Sequence, residues 1–123
     1  MSFERGNRLY NKGKYLQAIN EYKEAIKGYE EVESSYYNMG VTYIKLKEYD
    51  EAIKYLKKAI SFSKQSEYFY NLSCCYYWKN DYGSAMFNLI IAYELDDEDE
   101  DVKDAIDIVA KVISSEEDYD DIQ

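Results

Sequence analysis

Apolar and small residues return along residues 36–60 with the period of a helix. Tyr36, Met39, Gly40 and Tyr43 stand at i, i+3, i+4 and i+7, on one helical face. A short polar break, KLKE at 45–48, interrupts the pattern. Tyr49, Ala52, Ile53, Leu56, Ala59 and Ile60 then form a second face. The spacing predicts two antiparallel helices joined by a tight turn. Glycine inside a helix costs about 1 kcal/mol relative to alanine. Gly40 at a core position therefore implies a neighbouring helix too close for a side chain, and Ala52 and Ala59 imply the same.

The arrangement occurs three times. Gly6, Gly40 and Ser73 are small, followed by Leu9, Tyr43 and Tyr76 and by Tyr15, Tyr49 and Tyr82. Ala18, Ala52 and Ala85, then Tyr22, Leu56 and Leu89, then Ala25, Ala59 and Ala92 complete the register. The first step is 34 residues and the second 33. Beyond the third copy, Val102, Ala105, Ile106, Val109 and Ile113 make one apolar stripe with Asp104, Asp107 and Lys111 opposite. That pattern predicts a final helix over 99–114 that covers the exposed end of the repeat stack. The six acids at 96–101 precede it, where negative charge suits a helix start. The acidic segment 115–123 is expected to be disordered.

Composition narrows the class. A length of 123 residues fits one domain, and 46% hydrophobic residues with no Pro and five Gly favour long helices. Apolar runs fall short of the roughly 18 residues a membrane span needs, and the first ten residues are not signal-like. A soluble cytoplasmic protein is expected. Cys74 and Cys75 are adjacent, which disfavours a bridge between them, and read as small apolar helix residues in a reducing compartment. Charge is uneven. Residues 1–93 hold 13 Lys+Arg and 11 Asp+Glu, whereas residues 94–123 hold 2 and 14.

These features exclude several chemistries. The chain has no His, no phosphate-cradling glycine loop and no nucleophile beside a base, so no enzyme and no cofactor are expected. The acidic run fails as a calcium loop, because its sixth and twelfth positions are Val102 and Ile108. No metal is expected. Aromatics without a basic stripe argue against nucleic acid, and the acidic end argues against anionic lipid.

The repeat resembles the tetratricopeptide repeat, a 34-residue helix–turn–helix unit, over residues 1 to about 97. Glu30, Lys64 and Asp97 stand where that family usually has Pro, and Ser2 and Arg5 replace the Tyr36 and Met39 of the second copy. The resemblance implies an all-α, right-handed α-solenoid of three repeats (about 1–32, 33–65 and 66–98) with a capping helix. That makes seven helices in a single domain over 1–114. It further implies a concave groove lined by the first helix of each repeat. The residues expected there are Asn7 and Tyr10, then Tyr37, Asn38, Val41 and Lys45, then Tyr70, Asn71, Tyr77 and Trp78. Equivalent Asn side chains would meet a peptide backbone, and the aromatics would anchor apolar side chains. One branch of the family grips acidic chaperone C-termini with two Asn and three basic residues. Asn7 and Asn38 match the amides, but Phe3, Glu67 and Asn71 replace the basic residues. The expected ligand is therefore an apolar to mildly basic protein segment, and the expected role is adaptor or assembly module. Two other readings stand beside it: a small acidic chaperone holding a client, and a self-assembling subunit or homodimer joined through the imperfect first helix.

Overall fold

The periodicity resolves into α-helix throughout. The computed structural model describes residues 1–122, with side chains described through 117. Among them are α1 (Ser2–Asn11), α2 (Tyr15–Lys27), α3 (Val32–Lys45), α4 (Tyr49–Phe62), α5 (Ser66–Trp78), α6 (Tyr82–Leu95) and α7 (Glu100–Ile122). The expected single domain divides into two compact units, Met1–Lys64 and Gln65–Gln123. The division falls just past α4, where Ser63 turns to extended backbone.

The turn inside each repeat is built the same way three times. Gly13, Lys47 and Asn80 adopt positive φ of 76°, 60° and 64°. The next residue's N–H reaches five residues back: Lys14 to Leu9 O, Glu48 to Tyr43 O and Asp81 to Tyr76 O, each at 2.9 Å. This left-handed cap satisfies carbonyls that the helix end would leave without partners. Glycine adopts it without strain; Lys47 does not.

In the first unit, helices pair closely at the small residues. A Cβ on Gly40 would lie 2.7 Å from Leu56 Cγ and 3.3 Å from the Leu56 backbone N. A Cβ on Gly6 would lie 2.6 Å from the Tyr22 ring. Ala18, Ile19, Tyr22 and Met39 form a buried cluster. Tyrosines do much of the remaining packing: Tyr55 stacks on Tyr43 at 5.6 Å and on Tyr36 at 6.2 Å. α1 fully buries only Gly6. It is nonetheless held, by Phe3 N donating to Glu30 Oε1 at 2.9 Å and by Arg5 meeting Glu21 at 3.3 Å.

In the second unit, Leu72, Cys75, Leu89 and Ala92 are buried between α5 and α6, with Val102 and Val109 buried on α7. Ser73 takes the glycine position and bonds to Tyr70 O at 2.6 Å. Helix α6 departs from its counterparts. Phe87 and Ile90 are exposed where α4 carries Lys54 and Lys57. The capping helix starts one residue later than expected, with Asp99 Oδ1 accepting from Asp101 N at 2.9 Å and Val102 N at 3.3 Å. It also continues past Ile113. The expected disordered tail over 115–123 is helical through Ile122; Gln123 and the side chains of 118–122 lie outside the described residues.

Candidate functional site

The expected groove residues lie on the first helices of the repeats, but the two units use them differently. In the first unit the two Asn face each other. Asn38 Nδ2 donates to Asn7 Oδ1 at 3.0 Å, and the Tyr22 hydroxyl donates to the same oxygen at 2.6 Å. Burial pushes the Tyr22 phenol up to about 12, with the Asn38 amide partly opposing the shift. These amides thus already hold one another and the core tyrosine. Tyr10 is half-buried against the core cluster and packs on the Tyr15 ring at 5.5 Å, so it does not stand clear as an anchor. Tyr37 and Val41 are half-buried and Lys45 is exposed.

In the second unit, Asn71 donates to Glu67 O at 3.1 Å, one turn back on its own helix. Cys74 and Ala105 stand at the places equivalent to Asn7 and Asn38, so the second unit lacks that pair of amides. Tyr70 is raised above its ordinary value, first by burial and then by neighbouring Cys74 and Asp101. Tyr77 meets Trp78 edge-on at 5.4 Å and Tyr82 at 5.6 Å. Trp78 is 62% exposed. Beside it, a pocket of about 270 Å³ opens between α5 and α7. Cys74, Tyr77 and Trp78 line one side, Ala105 and Ile108 the other, and Leu89 and Val109 lie deeper.

Ala105 and Ile108 are not among the expected groove residues, because the sequence pattern of the last helix reads only as a cap, with Ala105 on its apolar stripe. The repeat register contains the missing signal. One step of 34 and one of 33 carry Asn38 to Ala105, Val41 to Ile108 and Thr42 to Val109. The cap therefore presents a fourth first-helix face. The thiols offer no reactive site. Burial raises both, Cys75 to about 12, and a thiol held protonated is a poor nucleophile. Among the described residues no group of three His, Cys, Asp or Glu is placed to hold a metal ion. No helix among them is long and apolar enough to cross a membrane.

A tetratricopeptide repeat model matches residues 34–65, and a second model of the same repeat matches residues 6–47. Residues 6–65 are tetratricopeptide repeats. Solved structures show the same fold. The Hsp90 co-chaperone Cns1 from Saccharomyces cerevisiae has a TM-score of 0.91 at 20% identity, covering 99% of this chain and 41% of that one. The first TPR domain of Spaghetti (RPAP3), bound to the HSP90 peptide SRMEEVD, gives 0.85 at 16% identity, covering 92% and 90%. The second TPR domain of human RPAP3, in complex with the HSP70 peptide SGPTIEEVD, gives 0.82 at 21%, covering 89% and 92%. No curated protein matches by sequence. The fold class is thus the all-α helical repeat of the α-solenoids.

Proposed function

We propose that this protein is an interaction module that binds an extended segment of a partner protein on a first-helix face of its repeats, in an adaptor or assembly role in the cytoplasm. The observation that carries the reading is the aromatic surface of α5. Trp78 stands out to solvent beside an apolar pocket that half-buried Tyr77 helps to line, on a helix whose other side buries Phe69, Leu72 and Cys75. Exposed apolar surface next to a pocket marks interaction sites. The peptides held by the two RPAP3 domains support the same use of the fold. Those peptides are acidic. Here Phe3, Glu67 and Asn71 occupy the places of the basic clamp residues, so the ligand proposed is apolar, neutral or mildly basic.

The test is selection of a random peptide display library on the immobilised full chain, followed by titration of synthetic hits. Trp78, the only tryptophan, reports on binding. Enriched peptides that saturate and shift its emission, or that are lost in Lys45→Glu, support the reading. No enriched sequence, or hits indifferent to Trp78→Ala and to Lys45→Glu, contradicts it. Asn38→Ala is a poor probe, because it also breaks the Tyr22 cluster.

A self-assembling role draws on a different observation, the exposed Phe87 and Ile90 of α6. Light scattering that rises with concentration in wild type and not in Phe87→Lys/Ile90→Lys would favour it.

A further inference from the structure

The two units carry the same repeat position in two states. In the first unit, Tyr22 rises from α2 between α1 and α3, and Asn7 and Asn38 close over its hydroxyl. In the second unit, the register places Leu89 at the tyrosine position, Cys74 at that of Asn7 and Ala105 at that of Asn38. Each replacement is smaller and less polar. The pocket of about 270 Å³ opens at this place. Cavities of about 150 Å³ with apolar walls stay dry and accept a benzene-sized group. This one admits a large apolar side chain, with Trp78 and Ile108 as its outer lips.

The ground beside the pocket is acidic. Asp101, Asp104, Ala105 and Ile108 follow one another at i, i+3, i+4 and i+7 on α7, so the carboxylates continue the face that lines the pocket. Asp99 and Asp101 also act on Tyr70 across from them on α5. Residues 65–123 hold 3 Lys and 16 Asp+Glu, against 12 Lys+Arg and 9 Asp+Glu in residues 1–64. Of the three lysines, Lys103 is engaged by Glu100 at 3.4 Å. The helical rise puts Tyr70 and Tyr77 about 10 Å apart along α5. An extended chain covers that distance in about three residues.

We propose that the groove between α5 and α7 is a two-part peptide site. Its pocket takes one large apolar side chain, and its acidic end takes a lysine or arginine three or four positions away on the same segment. This rests on the peptide-binding reading and specifies its ligand. It assigns the second unit a chemistry opposite in charge to a basic clamp.

The experiment measures fluorescence polarisation of labelled, capped decapeptides with the full chain. Each peptide holds one Phe and one Lys in a Ser/Gly background, at spacings from one to six and in both orders. Binding is expected to peak at a spacing of three or four. Replacing Phe by Ala should weaken it at least about tenfold. Replacing Lys by Glu should weaken it about threefold at 0.15 M salt and more at low salt. Ile108→Asp and Trp78→Ala, both at exposed positions, should abolish binding. So should Cys74→Asn/Leu89→Tyr/Ala105→Asn, which transplants the closed arrangement of the first unit. Asp101→Lys/Asp104→Lys should remove the preference for Lys over Glu, and Lys57→Glu/Lys58→Glu, at exposed positions of α4, should change nothing.

Binding that ignores spacing, or that is as tight with Glu as with Lys, overturns the proposal. So does binding lost in Val41→Asp/Lys45→Glu and kept in Ile108→Asp, an outcome that leaves the wider peptide-binding reading standing. If no peptide binds at about 1 mM the proposal also fails, and the display selection decides the wider reading separately.

Discussion

The first unit closes a position that the second leaves open. Between α1 and α3, a tyrosine and two asparagines satisfy one another at 2.6 and 3.0 Å, and the inner surface there is finished without a ligand. Between α5 and α7, leucine, cysteine and alanine occupy the same register and a pocket results. The surrounding frame is shared: the same left-handed turn, the same alanines at the helix contacts, and a small residue, Gly or Ser, beside the second helix. The difference teaches that a tandem repeat keeps its core periodic while three side chains decide whether a copy is a strut or a receptor.

The largest test of that contrast is Tyr22→Leu, which gives the first unit the residue of the second. It removes a buried ring and leaves two amides without their hydroxyl partner. Denaturant unfolding of the first unit should show a loss of about 3–4 kcal/mol. Leu89→Ala in the second unit, a simple truncation beside an existing pocket, should cost about 2–3 kcal/mol. Equal or reversed effects would break the comparison.

Next comes the small-residue contact. Gly40→Ala drives a methyl into Leu56, including its backbone N at 3.3 Å, and should cost about 1–3 kcal/mol. Ser73→Ala at the equivalent place keeps a Cβ already accommodated and loses one bond within its own helix, so less than about 1 kcal/mol is expected.

Alkaline pH should separate the units as well. The Tyr22 phenol is raised from 10.0 to about 12 by burial, so its neutral form is favoured in the folded state. The stability it contributes is complete below pH 10 and is lost as pH rises towards 12. Phenolate absorbance of wild type should therefore show a late component that Tyr22→Phe lacks. The smallest effect is expected at Lys47. Its φ of 60° suits glycine, so Lys47→Gly should raise the unfolding free energy by up to about 1 kcal/mol.

Much of the fold was legible because core positions repeat. Ala18, Ala52 and Ala85, with Tyr22, Leu56 and Leu89, are all buried, and the absent side chains of Gly6 and Gly40 mark close helix contacts. The fate of Asn7 and Asn38 was not legible. Their partner lies on another helix, and it bonds them only because position 22 is tyrosine where the later copies have leucine. The part that α7 takes in the pocket was hidden by its role as a cap, although the register carries Val41 onto Ile108. Its extension through 122 was hidden by composition. Acidic residues alone do not nucleate a helix, yet adding turns to one already formed costs little.

The most direct test of the central claim is a methyl NMR titration of the full chain with indole. Saturable shifts are expected at the methyl groups of Ile108, Leu89 and Val109, with Val41 of the closed position unmoved. Shifts at Val41 with none at Ile108 would contradict it, as would no shift at either place.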